Sequence, residues 1–404
     1  MAIEVLLIIS RIIFVIVAIY STYFIITGWL GITLKNKVTF KSSKNKNKFA
    51  ILIPARNEEY VISNLVDSLK KQDYPENKYV IYVIPNNCTD NTASIAEKSG
   101  AKILECTIPT KTKGDVLKFA FDKLKKEKSI DAYVIFDADN VVHPDFLKKM
   151  NECIEAGYNC AEGFRDAKNP SDNWLSGSYN LFYLYQNIFF NRSRGAFKAS
   201  CSINGTGFMV RKSYIEKVGF DTYTLTEDIE FTGQCALRHE PIAFVEDAIT
   251  YDEYPVKFDA SWRQRKRWSA GTLECRKRYS WKLFKDFIKT GKMTSLDMAI
   301  VYWGPIILIL NFFNILVRIF MVTISHPGAT LWFILIAYLI TEALQIFMLI
   351  YKRKKILPVL PGIILFPLFI YTWVPINCIC LIKKQTKWEQ IKHDRNVDIS
   401  NLVK

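Results

Sequence analysis

Hydrophobic positions fall into two regimes along the chain. Over residues 12–34 there are 23 consecutive residues without a charge, and a helix of that length, rising about 1.5 Å per residue, crosses the roughly 30 Å hydrocarbon core of a bilayer. Three more apolar runs lie towards the C-terminus, at 298–324, 329–350 and 356–382, each long enough to span. Between these blocks, residues 49–290 alternate short apolar runs with amphipathic helical patterns. Residues 49–53 read as a buried strand followed by a helix over 58–72, and 79–84, 102–105 and 132–136 as further strands. Strands alternating with helices predict a parallel α/β sheet with right-handed crossovers, whose ligands bind beyond the carboxyl ends of the strands.

The first apolar run continues through Gly28-Trp29-Leu30-Gly31 without an A-x-A-like exit, which marks an uncleaved anchor rather than a signal peptide. Lys35, Lys37, Lys41, Lys44, Lys46 and Lys48 follow it and put the next domain in the cytoplasm. Positive-inside counting conflicts at the other end, because Lys352-Arg353-Lys354-Lys355 and Lys383-Lys384 flank the last run on both sides. Pro358, Pro361, Pro367 and Pro375 within that run make a bent, re-entrant or hairpin segment an alternative to a simple crossing. Arg318 and Glu342, inside the second and third runs, are expected to face the bundle interior, either along a polar path or as an ion pair. The expected division is an anchor over 1–34, a cytosolic domain over 35–280, an interfacial amphipathic helix over 281–295, about three membrane helices over 296–382 with the last bent or re-entrant, and a basic tail over 383–404. The aromatic and basic mixture of 281–289 carries the interfacial assignment.

Composition refines this picture. Half of the 404 residues are hydrophobic and the net charge is +15. Much of the basic excess flanks membrane segments, which calls for a lipid membrane as partner and for no nucleic acid. Nine cysteines form no C-x-x-C and are odd in number, so neither a disulfide framework nor a zinc knuckle is expected. Four scattered histidines likewise offer no metal-binding pair.

Chemistry concentrates where strands end. Three ends read PARNEE (54–59), PNNCTDNT (85–92) and FDADN (136–140). Asp137 and Asp139, at i and i+2 on leaving a strand, can converge on Mg²⁺ or Mn²⁺, which normally completes its shell with water and substrate phosphates; a turn-forming Asp pair is the plainer alternative. Lys113-Gly114-Asp115 opens a helical pattern, placing a lysine and free backbone N–H groups where phosphate binds. Thr226-Glu227-Asp228 reads as an N-cap with helix-dipole carboxylates, and equally as a source of a general base. Arg263-Gln264-Arg265-Lys266-Arg267-Trp268 is the densest cationic cluster in the chain.

The order PARNEE, NNCTDNT, KGD, DAD, NGTGF, TED and QRKRW, followed by membrane helices, resembles the membrane-integrated family 2 glycosyltransferases: cellulose synthases, hyaluronan synthases and related exopolysaccharide synthases. The resemblance implies an α/β fold, a GT-A-type cytosolic glycosyltransferase domain with a mixed, mainly parallel sheet flanked by transmembrane helices. It implies that Asp137 binds the nucleotide-sugar, with Asp139 and Asp137 on the metal (Mg²⁺ or Mn²⁺). Asp228, beside Glu227, becomes the base that deprotonates the acceptor hydroxyl. Gln264, Arg267 and Trp268 close the site on pyrophosphate and acceptor, and Gly205 and Thr206 belong to a loop near the acceptor. Lys113, Asn86, Arg56 and Glu58 complete the donor side. Arginine suits a diphosphate leaving group and tryptophan a sugar ring.

Two departures bear on the base. The family usually has an acidic residue where this chain has Asn86, and cellulose synthases an aromatic one where it has Arg56; both can still engage a pyrimidine, so the expected donor is a UDP-sugar. Asp90 reads as a turn or cap residue. The implied reaction is an inverting displacement by which a processive synthase extends a growing polysaccharide chain and passes it across the membrane, a β-glucan such as cellulose or a mixed-linkage glucan first and poly-N-acetylglucosamine next. Transfer to a lipid acceptor is the rival expectation. The implied location is a bacterial plasma membrane, multi-pass with the catalytic domain cytoplasmic, and any regulatory or secretion subunit would be a separate chain.

Overall fold

The computed structural model describes residues 2–33, 40–195, 199–383, 385, 395 and 397–402. Leu34, Lys35, Lys37, Lys384 and much of the basic tail lie outside the described residues.

Eight strands form one sheet: β1 (Phe49–Ala55), β2 (Tyr79–Pro85), β3 (Lys102–Ile103), β4 (Ala132–Ile135), β5 (Val141–Val142), β6 (Cys160–Ala167), β7 (Phe208–Arg211) and β8 (Ile242–Asp252). Their spatial order is β3-β2-β1-β4-β7-β6-β8-β5. The first four are parallel, as the apolar runs predict. β7 runs antiparallel to β4 and β6, and β5 antiparallel to β8, while β6 and β8 are parallel. The sheet is therefore mixed and mainly parallel. β6 and β8 escaped the hydrophobic reading because Glu162, Arg165 and Asp166 interrupt one, and Glu246 and Asp247 the other.

Period-2 alternation assigns the two faces of β1 to different layers. Phe49, Ile51 and Ile53 pack with Ile62, Leu65, Val66 and Leu69 of α2 (Ile62–Lys70). Ala50 and Leu52 pack with Val116, Leu117 and Phe121 of α4 (Lys113–Leu124), numbered after α3 (Thr92–Lys98). The helix expected over 58–72 is shorter because residues 58–61 turn into it. The rest of this domain comprises α5 (Phe146–Glu155), α6 (Trp174–Tyr185), α7 (Lys212–Val218), α8 (Glu227–Leu237) and α9 (Phe258–Cys275).

Around it stand α1 (Ala2–Thr33), α10 (Trp281–Thr290), α11 (Met293–Val301), α12 (Gly304–Ser325) and α13 (Thr330–Tyr351). The pieces α14 (Leu360–Ile364), α15 (Phe366–Tyr371) and α16 (Trp373–Ile382) come last. Three helices, α1, α12 and α13, are long and apolar enough to cross a membrane; a fourth candidate, Leu357–Ile364 with Phe366–Ile382, is bent by 46°. Ile19 is 68% exposed, Leu331 78% and Ile340 67%. Contiguous apolar surface of this kind is stable in lipid rather than water, so the chain associates with a membrane. Gly291, at positive φ, separates α10 from α11 inside the span expected to be one interfacial helix. Arg318 and Glu342 form no ion pair. The Arg318 guanidinium lies over the Phe14 ring, 4.1 Å from its centroid, and both Glu342 carboxylate oxygens are buried without a hydrogen bond.

Candidate active site

An open cleft lies beyond the carboxyl ends of β1, β2 and β4. Arg56, Glu58, Asn86, Lys113, Asp137, Asp139, Gly205, Glu227, Asp228, Gln264, Arg267 and Trp268 all line it, so twelve of the thirteen candidate residues converge on one cavity. Its free space, solvent-open mouth included, is about 1320 Å³.

Thr206 is the thirteenth, and it belongs under the cleft rather than in it. Only 2% exposed, it accepts the Asp137 N–H at 3.0 Å and donates its hydroxyl to Asn140. Its neighbour Gly205 takes φ +89°, a conformation that glycine adopts without strain. This turn brings Gly205 to the cleft and points the Thr206 side chain inward to brace the D-x-D segment.

Lys113 stands at the centre. Its ammonium is 2.5 Å from Asp137 Oδ1, donates to the Gly205 carbonyl at 2.6 Å and is 3.9 Å from Glu227 Oε1. At this helix start Thr112 accepts the Asp115 N–H and Asp115 accepts the Thr112 N–H in return. The capping box takes up the third helical N–H and the cap N–H and leaves those of Lys113 and Gly114 outside it, beside the ammonium that faces the cleft. Gly114 lets α4 approach α8: a Cβ there would lie 2.3 Å from Thr222 Oγ1 and 3.1 Å from Glu227 Cβ.

Electrostatics separate the carboxylates. Burial works against charge on Asp137, but Lys113 outweighs it and holds the pKa below the usual carboxylate value; 37% of that side chain remains open to the cleft. Burial disfavours charge on Lys113 as well, yet Asp137 and Glu227 raise its pKa above the ordinary ammonium value. Burial raises Asp228, with Lys113 and Arg267 opposing, and pushes Glu227 up to about 7, with Asp228 adding to the shift. One carboxyl is thus poised to stay ionised and a neighbouring pair to hold a proton more readily.

Thr226 does not cap α8 as expected. Its side chain makes no cap hydrogen bond and packs on Gly271 of α9, where a Cβ would lie 2.2 Å from its Oγ1. Asp90 is a turn residue, accepting from Glu59 N, Thr92 N and Thr92 Oγ1 at 3.1, 3.1 and 2.5 Å. The Thr110 hydroxyl donates to Asn86 Oδ1 at 2.7 Å.

The cleft also contains Arg165 and Asp252, which sequence reasoning missed. Arg165 Nε donates to Asp252 Oδ2 at 2.8 Å, its Nη1 to the Asn204 carbonyl at 2.8 Å, and its guanidinium lies over the Tyr183 ring. Burial, opposed by Arg165, raises the Asp252 pKa to about 6. Asp252 ends β8, so the rule that polar strand ends build the site would have found it had that strand been recognised.

No group of three His, Cys, Asp or Glu side chains suited to a metal occurs among the described residues. Asp137 and Asp139 both face the cleft, and two carboxylates completed by phosphate and water suit Mg²⁺ or Mn²⁺. The residues fit such an ion.

Residues 46–271 match the family described as "Glycosyltransferase like family 2". A probable glycosyltransferase, YdaM, of Bacillus subtilis is 30% identical over 244 residues, covering 57% of this chain and 56% of that protein. A beta-monoglucosyldiacylglycerol synthase of Nostoc sp. is 28% identical over 231 residues, covering 55% and 48%. A poly-beta-1,6-N-acetyl-D-glucosamine synthase of Staphylococcus epidermidis is 25% identical over 275 residues, covering 64% and 60%. The chain spans about half the length of the curated relatives it matches. A mannosyltransferase from Pyrobaculum calidifontis, solved in complex with GDP-Man and Mn²⁺, aligns over 92% of this chain and 96% of its own at TM-score 0.60 and 15% identity. That likeness shows the fold, a GT-A domain with its mixed sheet.

Proposed function

The chain belongs to glycosyltransferase family 2 across residues 46–271, and from that membership we propose an inverting transfer of a hexose from a UDP-sugar to the hydroxyl of a growing β-glycan at the membrane surface. The observation that carries this reading is the single cleft in which Asp228 and Glu227 face Asp137, Lys113 and Arg267.

In the proposed reaction Asp228 removes the acceptor proton as the acceptor oxygen bonds to the anomeric carbon and the bond to the diphosphate breaks. One displacement converts an α-linked donor into a β-linked product. Lys113 and Arg267 offset charge that develops on the leaving diphosphate. A divalent ion on Asp137 and Asp139 would supply further neutralisation of those phosphate oxygens. Arg56 and Asn86, with Thr110 orienting the amide, face the base. Gln264 and Trp268 hold the acceptor, and Gly205 lets its backbone approach. Thr206 acts through Asp137 as a positioning residue. The lysines at 41–48 favour a multi-pass protein of the plasma membrane with this domain in the cytoplasm.

One observation favours a lipid acceptor as a second reading. Trp268 belongs to an aromatic layer with Tyr179, Tyr183 and Trp373, which joins the cleft wall to the membrane helices, and the Nostoc relative is by its name a synthase of a glucolipid. Detergent-purified protein offered UDP-glucose, UDP-N-acetylglucosamine and GDP-mannose separately with Mn²⁺ decides between them. Nucleoside diphosphate release with a β-glucosidase-sensitive polymer supports chain extension, and a glycolipid alone moves the function to the second reading. Release only from GDP-mannose would remove uridine.

A further inference from the structure

The basic run after α13 packs on the catalytic domain. Lys352 Nζ is 2.8 Å from Glu246 Oε1 of β8 and Lys354 Nζ is 2.5 Å from Asp166 of β6. The stretch beyond α16 returns to the same domain: Asp398 lies 3.0 Å from Lys71 Nζ, Arg395 pairs with Asp172, and Ile399 is buried with Val141 and Tyr251. Both ends of the stretch between them therefore sit on the catalytic side, and the number of crossings between must be even. Two crossings need about 40 apolar residues, more than 357–382 contains. At about 1.5 Å per residue, neither leg, 357–364 or 366–382, spans the roughly 30 Å core by itself.

Contacts follow this stretch along its length. Gly362 packs so closely on α6 that a Cβ would lie 2.6 Å from the Gly177 carbonyl carbon, and the Ser178 hydroxyl donates to the Gly362 carbonyl at 3.2 Å. At the bend, the Tyr338 hydroxyl of α13 donates to the Ile364 carbonyl at 3.2 Å. Further on, the Trp373 indole N–H donates to Ser269 at 3.1 Å and the Cys380 thiol to the Lys266 carbonyl at 3.5 Å.

Arg265 is the central link. It is fully buried, with no carboxylate in ion-pair range among the described residues, and its Nη1 donates to the Phe369 carbonyl at 3.0 Å and to the Thr372 hydroxyl at 2.7 Å. Its guanidinium rests 4.7 Å from the Phe369 ring centroid and 5.2 Å from that of Trp373. A charge buried without a counter-ion is costly; here the Phe369 carbonyl of α15 and the Thr372 hydroxyl at the break before α16 take Nη1, while Nη2 is buried without a hydrogen bond. Gln264, Arg267 and Trp268 of the same helix face the cleft.

We propose that residues 357–382 form a re-entrant brace rather than a fourth span, and that Arg265 is the positioning residue through which this brace holds α9 against the cleft. The inference rests on α1, α12 and α13 crossing the membrane. Epitopes placed in the exposed loop at 126–128, in the turn at 326–329 and after residue 404 are probed in intact and permeabilised cells. The first and third are expected on one side and the second on the other. First and third on opposite sides would overturn the brace; all three on one side would remove the spans themselves and the brace with them. Arg265→Lys and Thr372→Val are each expected to lower kcat about fivefold or more with donor KM within about twofold, and the double variant to be no worse than Arg265→Lys. Additive losses, or full activity in Thr372→Val, would overturn the link, and Thr372→Val keeps the test open if Arg265→Lys fails to fold.

Discussion

Asp228 moves the proton in the proposed reaction, and Asp228→Asn is expected to lower turnover about 10²–10⁴-fold with donor binding retained, measured as nucleoside diphosphate release beside nucleotide affinity. Its pKa is raised chiefly by burial, and that of Glu227 reaches about 7. A base works unprotonated, so turnover should fall as pH drops through the raised values of this coupled pair, above the ordinary carboxylate value of about 4. Glu227→Gln removes a negative charge beside Asp228, lowers its proton affinity and should shift the acid limb of kcat to lower pH. An unmoved limb would take Glu227 out of the pair. Asp139→Ala is expected to raise the Mn²⁺ concentration for half-maximal rate about tenfold or more, and chelation to stop the parent enzyme; full activity with a chelator would remove the metal role.

Among the elements, α4 and α9 position most of the site. Thr112 and Asp115 cap α4 reciprocally, and this fixes the first turn from which Lys113 reaches Asp137. Thr112→Ala should cost roughly 1 kcal/mol of stability and raise donor KM; a loss of stability with donor KM unchanged would mean that the cap does not set the Lys113 position. On α9, the helical period distributes the cationic cluster. Arg265 is buried against the membrane segment, Arg263 pairs with Asp259 at the surface, and Arg267 faces the cleft. A run that looks uniform in sequence does three jobs because Arg265 projects to the side opposite Arg263 and Arg267, while those two share a face but stand one turn apart along the helix, one at the surface and one at the cleft.

At the scale of the molecule, α1 is tied to the catalytic domain and to its companion helices. Tyr23 donates to Asp297 at 2.7 Å, Arg194 pairs with the same carboxylate, and Ser10 donates to Asn314 at 2.8 Å. An alkaline carbonate wash should therefore leave the protein in the membrane pellet while detergent releases it; recovery in the wash would contradict spanning by α1, α12 and α13.

Local chemistry determined what the sequence could reveal by itself: the apolar runs, the parallel half of the sheet over β1 to β4, and the short polar motifs at strand ends that meet in the cleft. Each is written in consecutive residues, so period and composition suffice to read it. Tertiary structure alone decided the mixed half, because strands such as β6 carry charges whose partners are remote in sequence, as Arg165 and Asp252 are. It also decided that Thr206 braces rather than lines the site, and that Arg318 meets an aromatic ring rather than Glu342. The prolines and flanking lysines of the last apolar run leave a crossing and a re-entrant path both open, and the proposed choice between them rests on ion pairs and packing between segments far apart in the chain.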